Sequence, residues 1–327
     1  MDSLTRFNTD DVVALALGWT LATPWRQAFG KFPQFSLASG AGSGKTSTAL
    51  LMANLGGNMI EETASAQQTK FVVTRQMAST TTLPITLDEF KPNEMPDWTL
   101  RRLQDLLRLN YDASLAGRGR ADQSVVNYQL TAPVILLGEG TRDQTAIVDR
   151  IVRPKLSRSR LEEGQHYQEA YGHLRASNPG MFALAYQRWA LSQTADLERI
   201  QIPEVGGNLR AAYNHKVVKF GWLMLEKFCR EVVGVPLPEI DIDRSLVASM
   251  ENLGYPETRD GKIRPRSTRS DVDSPNSAAI RPRSTYLPAA ISLGRSHPTG
   301  LRCPDNGLGN GRSADSTCGS EDPAAPE

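Results

Sequence analysis

Ser39-Gly40-Ala41-Gly42-Ser43-Gly44-Lys45-Thr46 decides how this chain is read. Glycines at 40, 42 and 44 alternate with small residues and run straight into a lysine and a threonine. Glycine gives the backbone the torsional freedom for a tight loop and lets it approach a ligand closely. Upstream, FPQFSLAS is a short apolar run of strand character; downstream, TSTALLMANLGG spaces Leu50, Leu51 and Leu55 for a helix that ends at Gly56 and Gly57. A glycine loop between a strand and a helix offers an anion a row of N–H groups together with the positive end of the helix.

The segment follows the Walker A pattern of triphosphate-binding loops, with Ser39 in place of its first glycine. The pattern assigns Gly40, Ala41, Gly42, Ser43, Gly44, Lys45, Thr46 and Ser47 to binding ATP. Lys45 reaches the β and γ oxygens, and the Thr46 hydroxyl ligates Mg2+. A metal-bound triphosphate also needs a carboxylate at the end of a neighbouring strand, and TLPITLDEF supplies one. Asp88 is the second expected Mg2+ residue, and Glu89 is the candidate base that orients or deprotonates the attacking water. An acid pair alone often does no more than open a helix. Joined to the upstream loop, it favours hydrolysis over phosphorylation of a small molecule.

Outward from these segments the chain alternates strand and helix. WTLRRLQDLLRLN carries leucines at 100, 103, 106, 107 and 109, with arginines opposite. LAGRGRADQS reads as a flexible loop, and the PVILL of VVNYQLTAPVILLGEG as a buried parallel strand. The expected fold is α/β: a P-loop NTPase core with a mostly parallel sheet over residues 33–158, preceded by a helical preface at 1–32. Residues 159–254 read as a C-terminal helical domain, because four segments there keep helical spacing. Residues 255–327 turn rich in Pro, Ser, Arg and Gly, repeat IRPRST at 263–268 and 280–285, and read as a disordered tail, native or from a shifted or truncated reading frame.

At 327 residues with 39% hydrophobic residues the chain can bury a sizeable core, and its net charge of +1 excludes a global basic field, so any nucleic-acid surface must come from local clusters. Cys229, Cys303 and Cys318 lie far apart without histidines at ligand spacing, which argues against a zinc site or a disulfide framework and suits the cytoplasm. No run approaches the roughly 18 apolar residues of a membrane helix, and no secretory leader is legible at the start.

Several arginines stand where charge has work to do. Arg150, with Arg153 after it, is the candidate arginine finger, acting on a neighbouring subunit's nucleotide as a third catalytic residue beside Lys45 and Glu89. Arg118 and Arg120 are placed to follow a nucleic-acid backbone, and a solvated basic loop is the plain alternative for both pairs. Glu139 ends the third strand where a sensor residue lies, and needs a cationic partner such as Arg142 or Arg150. Arg210, Asn214, Lys216 and Lys219 read first as a solvated helix face; Tyr213, Phe220, Trp222 and Phe228 read as core.

With GAGSGKT, PITLDEF, WTLRRLQDLLRLN, GRGRADQS and APVILLGEG in this order, residues 30–250 resemble the ATPase module of phage and mobile-element primase/helicase proteins, related to superfamily 3 helicases and more distantly to AAA+ ATPases. The resemblance implies a ring of identical subunits driven by ATP along single-stranded or forked DNA in replication. It departs at Gly138-Glu139, where superfamily 3 enzymes typically present asparagine. Two other functions fit the same residues: a nucleotide-dependent switch or assembly ATPase that does not translocate, and an inactive fragment of a larger primase/helicase.

Overall fold

The computed structural model of the protein describes residues 2–119, 122–139, 145–156, 165–193 and 209–255. Helices α1 (Asp2–Phe7) and α2 (Asp10–Ala22), a 3-10 turn (Thr23–Trp25) and α3 (Arg26–Phe29) lead into β1 (Gln34–Ala38) and α4 (Lys45–Leu55). Then come β2 (Ala64–Ser65), α5 (Lys70–Met77), β3 (Ile85–Phe90), α6 (Asp97–Tyr111), β4 (Leu115–Gly119), β5 (Val125–Gln129), β6 (Val134–Gly138), α7 (Thr145–Val148) and β7 (Ile151–Val152). The helical remainder is α8 (Gln165–Ala176), α9 (Pro179–Ser192), α10 (Leu209–Phe228), a π turn (Cys229–Val233) and α11 (Ile242–Asn252).

Five strands form one sheet in the order β2-β3-β6-β1-β7, and every neighbouring pair is parallel. The α/β reading therefore holds, with a sheet two strands wider than the sequence announces. β6 lies between β1 and β3 and is buried on both faces, as a continuous apolar strand in a parallel sheet should be. Its residues alternate between two cores. Ile135 and Leu137 pack in a cluster with Trp19, Phe35, Leu37 and Met52, whereas Val134 and Leu136 pack in a second with Leu87, Leu103 and Leu106. Gly138 pairs with Ala38 on one side and Phe90 on the other, so β1, β6 and β3 end in one row.

α6 keeps its leucines in the second cluster and its arginines outside. Its last turn is tied to the sheet through Asn110, which donates to the carbonyls of Leu130 and Ala132 and accepts from Gln34 Nε2 at 3.2 Å. Arg26 donates to the Asn110 carbonyl at 2.7 Å, and burial lowers its pKa to about 10.

α2 is buried from Val12 to Ala22, all round rather than along one stripe. It lies between the sheet and the later helices. Trp19 donates to the Pro33 carbonyl at 2.7 Å and packs on Phe32 and Phe35. On the other side a Cβ on Gly18 would lie 2.6 Å from the Val218 carbonyl oxygen, and one on Gly221 would collide with the Gly18 carbonyl. Only glycine permits so close a helix crossing. Tyr186 of α9 donates to the Leu21 carbonyl, and Ser245 of α11 to Asp11. The first helices and the last thus share one apolar cluster with Phe220, Trp222 and Phe228, the aromatics expected as core. Each large side chain so buried contributes about 1.5–3 kcal/mol before entropy is counted.

Residues 115–119 differ from the flexible loop expected of them. They form β4, paired antiparallel with β5 from Leu115↔Gln129 to Gly119↔Val125. The two glycines that suggest a loop are held by that ladder. Arg120, Arg142, Cys303, Cys318 and the tail beyond residue 255 lie outside the described residues. Among the described residues no helix is long and apolar enough to cross a membrane.

Candidate active site

β1 runs into the glycine loop and α4 begins at Lys45. Gly44 adopts φ 74°, the left-handed region where a side chain is strained, and a Cβ there would also strike the Tyr167 hydroxyl of α8. Gly40, Ala41, Gly42 and Thr46 are exposed, Ser47 is half-buried, and Ser43 is buried with its hydroxyl lacking a hydrogen-bond partner among the described residues. Lys45 bends back over the loop: Nζ donates to the carbonyls of Ser39 at 2.5 Å and Gly40 at 2.8 Å. Asn8, just past α1, donates to Thr48 Oγ1 at 3.2 Å and ties the first turn of α4 to the N-terminal helices.

The acid pair stands at the carboxyl end of β3, where the ladder to β6 bulges between Leu87 and Phe90. Asp88 accepts from Thr63 at 3.1 Å and from the Glu89 amide at 2.7 Å. Glu89 is exposed, adopts φ 61°, and accepts from Ser65 Oγ at 2.5 Å. A left-handed residue with a side chain costs about 1–3 kcal/mol, and such strain gathers at functional sites. Since β6 separates β1 from β3, the loop and the acids sit roughly 10 Å apart, two strand spacings, across Gly138. The structure therefore brings residues 40–47, Asp88 and Glu89 to one edge of the sheet.

Arg150 does not join them. It immediately precedes β7, at the amino ends of the strands, and is 9% exposed with its guanidinium 5.6 Å from the centre of the Tyr111 ring. Burial, and then Arg210, lower its pKa. Arg153 is buried as well, its backbone N–H bonded to Ser249. Glu139 is paired with Lys91 at 3.9 Å; of the arginines expected for it, Arg150 lies at the opposite edge of the sheet and Arg142 lies outside the described residues. Asn214 is buried, accepting from Tyr111 and donating to the Asp149 carbonyl, so it stands apart from the solvated face expected of this helix; Lys219 pairs with Asp243 at 2.7 Å.

Four residues at this edge escaped the sequence reading: Asn8, Thr63, Ser65 and Tyr167. Ser65 belongs to a strand of two residues, too short for any periodicity to show, and Thr63 immediately precedes it. Tyr167 reaches the loop from a helix more than a hundred positions away, and nothing local announces it. A second polar surface lies on the hairpin. Lys70, Phe71, Thr74, Arg118 and Tyr128 line a cleft of about 340 Å³ between α5 and the β4–β5 pair. Arg118 sits 3.9 Å over the Phe71 ring, and Tyr128 meets the same ring edge-on at 6.2 Å.

No family model matches the chain, and no curated protein matches it. Among solved structures it is similar to the SCCmec type IV Cch active helicase, at 14% identity and a TM-score of 0.48 over 75% of this chain and 47% of that one. It is also similar to the JCV helicase bound to a thiazolopyridinyl-phenoxyphenyl acetamide, at 12% identity and a TM-score of 0.33 over 64% of this chain and 66% of that one. The chain thus spans about half the length of the Cch protein.

Proposed function

We propose that this chain is a magnesium-dependent ATPase acting on DNA as the motor module of a replication protein. The observation that carries the reading is the Ser43 hydroxyl, buried and unpartnered in a glycine loop at the start of α4, opposite a paired aspartate and glutamate. A buried hydroxyl without a partner costs about 1–3 kcal/mol, a cost that an anion in the loop removes. In this reading residues 40–47 hold the phosphates, and Lys45 exchanges its two loop carbonyls for phosphate oxygens. Thr46 and Asp88 offer hydroxyl and carboxylate oxygens, a donor set that fits Mg2+ alongside substrate phosphates and water. A Mg2+ ion held by Thr46 and Asp88 would supply neutralisation of charge on the phosphate oxygens. Glu89, released from Ser65, accepts a proton from the attacking water.

The DNA half rests on the hairpin cleft, where an aromatic pair lies beside Lys70 and Arg118. Bases stack on such rings while cations track the backbone. Arg150 cannot serve the loop of its own chain, so its proposed role remains that of a finger offered to a neighbouring subunit in a ring. The test is steady-state ATP hydrolysis by the purified chain, with and without single-stranded DNA, beside Lys45→Ala. Hydrolysis that DNA stimulates and Lys45→Ala abolishes is the expected result. Hydrolysis indifferent to DNA replaces the motor with a nucleotide-dependent switch, and no hydrolysis at all rejects the enzyme.

A further inference from the structure

Tyr167 touches the phosphate loop from outside the α/β core. Its ring is fixed: it stacks on Phe7 at 4.7 Å, Phe7 stacks on Tyr171 at 5.4 Å, and Leu51 and Ala170 complete a small apolar cluster joining α1, α4 and α8. The residue is only 6% exposed, and the Ser47 side chain reaches its hydroxyl without forming a well-placed hydrogen bond, no other described residue serving as a partner. That hydroxyl occupies the space a side chain on Gly44 would need. It therefore lies at the start of α4, where the backbone N–H groups have no partner within the helix. Ser43, next to Gly44 in the chain, carries a buried hydroxyl without a partner among the described residues. Burial raises the Tyr167 pKa, opposed by Ser47, so the phenol keeps its proton and remains a donor.

Resting on the phosphate-loop reading above, we propose that Tyr167 is a further nucleotide-binding residue, its hydroxyl donating to a phosphate oxygen held at Gly44 and Ser47. A neutral donor there adds to the backbone N–H groups without a charge of its own. Because its ring is wedged against Phe7, binding also tightens α1 and α8 against α4. Nucleotide occupancy is then transmitted to two helices that lie outside the sheet.

Tyr167→Phe tests this, since it keeps the ring and its stacking and removes only the oxygen. Calorimetric titration of ATP into the full chain is expected to show affinity about tenfold weaker or worse in the variant, as befits a lost hydrogen bond to a charged group. The unfolding temperature of the nucleotide-free variant is expected to equal or exceed the parent's, because an unsatisfied buried oxygen has gone. In hydrogen exchange, ATP is expected to protect residues 2–7 and 165–176 of the parent and to protect them less in the variant. Equal ATP affinity in the two proteins overturns the role of Tyr167 and leaves the loop reading intact. If the parent binds no ATP, or binds it as well with Lys45→Ala, the loop reading itself fails and Tyr167 falls with it.

Discussion

Glu89 gathers the site's tension into one residue. Its left-handed backbone and its bond to Ser65 both place a carboxylate at the sheet edge, at a cost in stability. Glu89→Gly removes that backbone cost and is expected to unfold at the same or a higher denaturant concentration than the parent, by up to about 1 kcal/mol, while losing turnover. A lower midpoint would sink the strain argument. Glu89→Gln keeps the shape and removes the charge, so it is expected to bind ATP normally and to hydrolyse it about a hundredfold more slowly or less. His215 makes a separate case. Burial lowers its pKa from 6.5 to about 4, with Asp243 opposing. Between those values the unfolded chain takes up a proton that the folded one refuses. The contribution is therefore full above pH 6.5 and lost as pH falls toward 4. The loss is on the order of 3 kcal/mol. Denaturant titrations from pH 7 to pH 4 should show a shallower decline in His215→Gln than in the parent; an identical decline would assign the acid sensitivity to other groups.

At the scale of elements, what the sequence reveals depends on how many residues carry each signal. β1, the loop and α4 were legible because glycine spacing, an apolar strand and a leucine helix agree over more than twenty consecutive residues. β3 and β6 were legible from unbroken apolar runs, and α6 from its leucine face. β2 and β7 were not, since two residues cannot display a period and only their neighbours make them strands. The hairpin is not legible either. Gly117 and Gly119 argue for a loop, and the ladder to β5 that overrules them is a contact, not a composition. Asp88 and Glu89 are legible from their position after an apolar run, whereas Ser65 and the adjacent Thr63, which donate to them, stand at a two-residue strand that no periodicity reveals. Arg150 is legible as a residue flanking a core strand, whereas its packing on Tyr111 at the far edge of the sheet depends on a residue distant in sequence and is not.

For the whole molecule, that far edge leads to a prediction about assembly. If Arg150 completes a neighbour's site, mixing Arg150→Ala with a Lys45→Ala chain should restore activity that neither has alone, because mixed rings contain intact pairs of loop and finger. Absence of complementation over a range of mixing ratios confines Arg150 to packing. The apolar cluster that unites α2 with α9, α10 and α11 bears on the molecule as a product of translation. Ser245 and Asp11, which it brings into contact, are 234 residues apart in sequence. At about 5–20 residues per second, α2 emerges from the ribosome roughly ten to fifty seconds before its partners exist. Throughout that interval the side of α2 that meets α9, α10 and α11 has nothing to cover it, and the nascent chain carries an apolar helix surface of the kind that invites premature association. Ribosome-bound chains halted after residue 150 should be cleaved by protease within 10–22, and chains halted well past 255 should resist; equal sensitivity would mean that α2 finds other cover first.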